Sequence, residues 1–210
     1  MIGDRLLFLE SHQKNAQEIF NKLQLDKRQI ILIGGCSGTG KSEASDLLQE
    51  LLFQNKKHSL VISLDDFYIV HPTVRNYNRK KQGLDSVGLS EIDWERLQRV
   101  CEDFQNQKEI HFKRVHKYCD VVEHNVIDTD AIDYLIIEGL YSNYLKKFDY
   151  GDLSVYLDGN PEQTFKFRKQ RRKENEDEEF RKQVVRKEFN IICQLKKWAD
   201  FIIEYKESNE

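Results

Sequence analysis

The apolar positions alternate between two patterns along the chain. Leu6, Leu9, Ala16, Ile19, Phe20 and Leu23 recur near one face of a 3.6-residue period, so residues 5–24 read as an amphipathic helix. "QIILIGG" (29–35) is a β-branched run ending in glycines, the pattern of a buried parallel strand. Helical periodicity returns over residues 41–53. "HSLVISLDD" (58–66) is a second strand that ends in two carboxylates. Residues 71–90 are polar and contain glycine, which predicts a loop. "SEIDWERLQRVCEDFQ" (90–105) predicts a helix with Ser90 as N-cap and Asp93 in the first turn. "EIHFKRVHKYCDVVEHNVI" (109–127) alternates in places and reads as a β-excursion. "AIDYLIIEGLY" (131–141) holds an apolar strand ending at Glu138, and "LSVYLDG" (153–159) another. Residues 160–200 form a long charged helical region broken near Asn175, and "DFIIEY" (200–205) closes as a strand.

Strands alternating with helices argue for an α/β fold, a parallel sheet with helices on both faces. Such sheets bind ligands at the carboxyl ends of their strands. The residues expected there run from Gly35 onward and include Asp65, Asp66, Glu138 and Asp158. Two prolines, no repeats and no linker predict one domain over residues 1–210, with a helical N-terminal element within 1–28.

Composition narrows the class. The chain is 39% hydrophobic and 33% charged, enough for a core under a heavily charged surface, and its net charge of −3 carries no basic signature for nucleic acid. Cys36, Cys101, Cys119 and Cys193 lack paired spacing and read as reduced thiols. The N-terminal stretch has neither the long apolar core nor the cleavage site of a secretory signal, and no apolar run could span a bilayer. A soluble cytoplasmic protein is expected, acting on a small molecule and without membrane or nucleic-acid partners; homo-oligomerisation stays open.

"GCSGTGKS", Gly35-Cys36-Ser37-Gly38-Thr39-Gly40-Lys41-Ser42, satisfies every fixed position of G-x-x-x-x-G-K-[ST], with a strand before it and a helix after it. Glycines allow positive φ and let backbone N–H groups approach an anion. The helix that follows adds its unpaired N–H groups and dipole. Lys41 would reach the β- and γ-phosphates and Ser42 would offer its hydroxyl to Mg²⁺.

A phosphate loop does not by itself name a reaction. A guanine-reading N-K-x-D segment is absent, and Asp85-Ser86-Val87-Gly88 follows a polar stretch rather than an apolar strand, so its D-x-x-G match is coincidental. Phosphoryl transfer to a hydroxyl needs a carboxylate to orient it and take its proton, and metal to offset charge. Asp65, just past the second strand, suits the first task, and Glu138 suits the second. Helix N-capping is the competing reading for Asp65 and, more strongly, for Asp66.

The phosphate loop, "SLDDFY", "GLD…IDW", "IIEGLY", "VYLDGNPE", an Arg-rich segment and "KKWADFII" occur in one order. That series resembles the uridine kinase/phosphoribulokinase-like family of P-loop kinases over residues 29–205. The resemblance implies a P-loop three-layer sandwich with a five-stranded parallel sheet, a helical Arg-rich lid at about 161–187, and ATP with Mg²⁺ as donor. By similarity, Asp65 takes the place of the catalytic carboxylate and Tyr68 that of a substrate-side tyrosine. Asp85 resembles the carboxylate that holds a nucleoside's sugar hydroxyls. Ser42, Asp65 and Glu138 form the magnesium side, and Arg168 and Arg171 fall on the paired lid arginines. At i and i+3 on a helix the two arginines share a face and could close on a triphosphate, although a solvated face is the plainer reading of "RKQRRKENEDEEFRK". The chain departs from the nucleoside enzymes at "HFKRVHKYCD", which lacks their Tyr-Asp pair. Phe112 stands where the tyrosine would, and His116 where the histidine would, with imperfect spacing. A nucleoside is the first expectation for the acceptor; a sugar phosphate, nicotinamide riboside or a pantothenate-like compound are alternatives. A regulatory protein without transfer chemistry is the rival class, opposed by the intact Lys41, Ser42, Asp65 and Glu138.

Three further clusters read as structural. His111, His116, Cys119 and His124 fit no zinc spacing and would alternate across a strand. Trp94 and Trp198 are expected to pack helices on the sheet. "NRKK" (78–81) reads as a solvated loop.

Overall fold

A computed structural model describes residues 1–171, 175 and 178–205. Its centre is a five-stranded parallel sheet of β1 (Gln29–Gly35), β2 (Ser59–Ser63), β5 (Tyr134–Glu138), β6 (Leu153–Asp158) and β7 (Phe201–Glu204), in the order β2-β5-β1-β6-β7. β1 is buried along its whole length, as its unbroken apolar run requires. Side chains alternate across a strand, so β1 feeds two cores. Ile30 and Leu32 join Leu97, Val100 and Phe104 of α4 (Trp94–Gln105) and Ile192 of α6 (Glu179–Leu195). Ile31 and Ile33 join Ala16 and Ile19 of α1 (Glu10–Phe20) and Ala44, Leu48 and Leu52 of α2 (Lys41–Gln54). The register sets Ile33 opposite Glu138, and Ser63 opposite Glu138 from the other side, so the strand ends carrying polar chemistry lie level.

Three elements differ from the sequence expectation. α1 begins at Glu10 rather than near residue 5, because the backbone before it serves tertiary contacts: Leu7 N–H donates to Glu43 and the Arg5 carbonyl accepts from Arg171. Residues 71–90 are not all loop. α3 (Pro72–Gln82) starts with Pro72 in its first turn and His71 as cap, and it stops at Gly83, φ +85°. Its one buried residue is Arg79, so hydrophobic periodicity could not reveal it. Asp93, not Ser90, caps α4 by accepting from Arg96 N–H; Ser90 sits in the preceding 3-10 turn. The expected β-excursion is a separate antiparallel hairpin of β3 (Ile110–Val115) and β4 (Val122–Ile127), with Ile110 opposite Ile127.

The helical region after β6 contains α5 (Phe165–Arg171) and then α6. Asn175, where the break was expected, is not helical; residues 172–174 and 176–177 around it lie outside the described residues, as do 206–210. Trp94 packs on Tyr144 and Phe148, and Trp198 stacks on Tyr144. The four cysteines are free thiols. No described helix is long and apolar enough to cross a membrane.

Candidate active site

The turn between β1 and α2 is built around left-handed glycines. Gly38 and Gly40 have φ of +84° and +81°, where an L side chain is strained. Space forbids one as well: a Cβ on Gly38 would stand 2.6 Å from Arg168 Cγ, and one on Gly40 2.3 Å from the His12 ring. The loop curls on the Cys36 carbonyl, which accepts from Thr39 Oγ1 at 2.9 Å and from Lys41 Nζ at 2.7 Å. Lys41 is buried, and burial pushes its ammonium pKa below the usual range, partly opposed by Glu138. α2 starts there, and the first N–H groups of a helix lack intrahelical partners.

Two carboxylates reach the same cavity, of about 290 Å³, from the neighbouring strand ends. Glu138 closes β5 and accepts from Ser42 Oγ at 3.2 Å. Burial pushes its pKa up, and the charge of Asp65 pushes the same way. Asp65 lies in the 3-10 turn Leu64–Phe67 after β2, its N–H held by Ser63 Oγ. Asp66 does not line the cavity. Its Oδ1 accepts from Val115 N–H at 2.8 Å, so it anchors the hairpin instead of capping a helix.

The cavity also takes in Tyr68, Arg168 and Arg171. Tyr68 is almost wholly buried, and burial raises its phenol pKa far above normal. Arg168 donates to the Pro161 carbonyl at 3.0 Å and to Thr164 Oγ1. Arg171 pairs at 3.3 Å with Glu43, which is wholly buried in α2. The two arginines therefore share a face of α5 toward the phosphate loop, as the i, i+3 spacing predicts. Ser42, Asp65 and Glu138 are hard oxygen donors beside a glycine cradle, a set that fits Mg²⁺ held by one or two carboxylates with phosphate and water.

Three expected acceptor residues are not brought to the cavity. Asp85 is fully exposed on the turn after α3 and pairs with Lys187 at 3.3 Å. Phe112 belongs to the core, because the alternation of β3 turns Ile110 and Phe112 to the same inward face. His116 binds Glu123 at 2.8 Å across the hairpin. Asp158 is likewise engaged elsewhere, by Lys196. His111 approaches Glu109, and among the described residues no group of three or more His, Cys, Asp or Glu side chains converges on a metal position.

α3 gives the largest single share of the lining that sequence reasoning missed. Pro72, Arg75, Asn76 and Arg79, at i, i+3, i+4 and i+7, face the cavity, with Asp4, Lys117, Tyr118, Arg181 and Glu188 from other elements. Arg79 corrects the reading of "NRKK" as solvated. It is buried, held by Glu91 at 2.7 and 2.8 Å and by Glu188 at 3.2 Å. The helical spacing of Arg75 and Arg79 was the available signal, useful only once the helix was known.

The sequence model of the phosphoribulokinase/uridine kinase family matches residues 30–208. No curated protein matches the chain. Among solved structures, one described as a possible uridine kinase from Bacillus stearothermophilus superposes with a TM-score of 0.67 at 16% identity, covering 92% of this chain and 99% of that one. Phosphoribulokinase from Rhodobacter spheroides gives 0.61 at 15% identity, covering 85% and 70%. D-glycerate 3-kinase from Cryptococcus neoformans var. grubii gives 0.54 at 15% identity, covering 94% and 93%. At these identities the likeness is one of fold.

Proposed function

This chain belongs to the phosphoribulokinase/uridine kinase family, and from that premise we propose that it transfers the γ-phosphoryl group of ATP to a hydroxyl of a small metabolite, with Asp65 as the general base. The observation that carries the reading is the convergence of Lys41, Ser42, Asp65 and Glu138 on one cavity at the ends of adjacent strands.

In this reading the glycine loop and the start of α2 hold the donor phosphates, and Lys41 leaves the Cys36 carbonyl for phosphate oxygens. Ser42, Asp65 and Glu138 would hold Mg²⁺, which when bound offsets negative charge on the phosphates. Asp65 orients the acceptor hydroxyl and takes its proton as the new O–P bond forms. The bond from Pγ to the bridging oxygen breaks, and its electron pair leaves with ADP. Arg168, fixed by Pro161 and Thr164, supports charge at the transferring group, with Arg171 behind it on the same helix face.

The residues that would read a nucleoside, Asp85, Phe112 and His116, stand outside the cavity, so the acceptor proposed is a small hydroxylated metabolite rather than a nucleoside in particular. ADP release screened against nucleosides, sugar phosphates and vitamin precursors tests the activity, since a purely nucleotide-binding protein gives no acceptor-dependent release. Asp65→Asn should then lower kcat by roughly 10²–10⁴-fold. Turnover near wild type in that variant would remove Asp65 from the role.

A further inference from the structure

The acceptor end of the cavity carries a cation that the protein itself leaves unmatched. α3 presents two arginines there, one turn apart. The charge of Arg79 is met by Glu91 and Glu188. Arg75 has no such match: among the described residues, no carboxylate lies within ion-pair distance of it. Its Nε donates to the Val70 carbonyl at 3.3 Å, and its guanidinium lies 3.5 Å over the Tyr68 ring. One terminal nitrogen, NH2, is buried and has no hydrogen-bond partner.

A guanidinium stacked on an aromatic face is fixed in plane and can offer its N–H fork at the edge. An unmet, buried donor on a charged group is expensive to keep, so a fold that keeps one beside a cavity has prepared it for a ligand atom. The donor phosphates already have Lys41, the loop amides and Arg168. Tyr68 ends the short turn that carries Asp65, so an anion on Arg75 would sit within one small molecule's length of the base.

We infer that Arg75 binds an oxyanion on the acceptor, so that the metabolite phosphorylated here carries a carboxylate or phosphate group besides its reactive hydroxyl. This rests on the kinase reading above. A neutral nucleoside could offer this nitrogen a hydroxyl or carbonyl oxygen but would leave the guanidinium charge uncompensated.

The experiment uses the full chain. Binding of AMP-PNP with Mg²⁺ to the wild type is measured first by calorimetry, and its absence would count against the kinase reading itself. With that nucleotide saturating the loop, inorganic phosphate and, separately, acetate are titrated into the wild type, Arg75→Gln and Arg75→Lys. The expected result is saturable binding of at least one of the two anions to the wild type, weakened about tenfold or more in Arg75→Gln and partly restored in Arg75→Lys. Which anion binds more tightly distinguishes a phosphate-bearing from a carboxylate-bearing acceptor. In turnover assays with a pentose phosphate, glycerate and uridine, the anionic acceptor should show a KM raised about tenfold in Arg75→Gln and a kcat changed far less. Three results overturn the inference while leaving the kinase reading intact: neither anion binds, Arg75→Gln binds them as the wild type does, or uridine is the efficient acceptor with a KM indifferent to Arg75→Gln. A fourth is loss of AMP-PNP affinity with unchanged anion affinity in Arg75→Gln, which would assign Arg75 to the donor.

Discussion

The Ser42 hydroxyl donates to Glu138 Oε2 across 3.2 Å, joining the first turn of α2 to the end of the interior strand β5. The bond spans 96 residues of sequence and sets together the two oxygens proposed to hold Mg²⁺. Glu138→Gln should lower kcat on the order of 10²-fold and raise the Mg²⁺ concentration needed for half-maximal rate. Burial and Asp65 raise the pKa of Glu138, and the charged form is the one that serves. Mg²⁺ binding to the free protein should therefore begin to weaken, as pH falls, above the ordinary carboxylate range of about 4.3. Affinity unchanged down to that value would dissociate Glu138 from the metal.

Gly40 has no room for a methyl group because His12 of α1 occupies the position. Gly40→Ala combines a left-handed φ, roughly 1–2 kcal/mol, with overpacking of roughly 1–3 kcal/mol. Removing the ring should recover the second part. Denaturant unfolding of Gly40→Ala, His12→Ala and the pair forms a double-mutant cycle. Additive effects in that cycle would show that the ring is not the obstacle.

His12 is buried, and its Nδ1 accepts from Leu9 N–H. Burial lowers its pKa below 6.5, with the Arg171 charge acting in the same direction and Glu43 opposing. An unfolded chain therefore binds a proton at His12 before the folded chain does. Stability is complete above the unfolded value and is lost as pH falls below it, by up to about 1.4 kcal/mol per pH unit. Wild type should lose more stability than His12→Gln between about pH 7 and pH 5. Parallel curves for the two proteins would refute the assignment.

Arg79 sits between Glu91 and Glu188 with about 5% of its surface exposed. Replacing it by methionine keeps the bulk and takes the shared guanidinium from both carboxylates. Loss of one partner from a buried pair costs roughly 3–5 kcal/mol, which lowers Tm by about 10 °C in a chain of this size. Adding Glu188→Gln to Arg79→Met should return part of that loss, and calorimetric melting of the three proteins measures it.

Much of the sheet could be read because its signals are local. A β-branched run such as residues 29–35 is apolar because both faces of β1 are covered, and Gly38 and Gly40 are glycines because the loop takes positive φ there. Asp65 and Glu138 were found by the same route, each just at the end of an apolar strand. The parts that could not be read share another property. α3 buries an arginine instead of an apolar stripe, and no periodicity marks it. Asp85 occupies the expected sequence position, yet the turn after α3 holds it in solvent against Lys187.

The sequence by itself determined the strands of the sheet and the helices with an apolar face, the phosphate loop and the two carboxylates beside it. It did so through backbone preferences and hydrophobic alternation, which act between near neighbours. Only the tertiary structure decided which side chains wall the α3 side of the cavity, because that wall is assembled by ion pairs across long separations. Arg79 and Glu188 are 109 residues apart, and their pairing helps set the face of α3 on which Arg75 meets Tyr68.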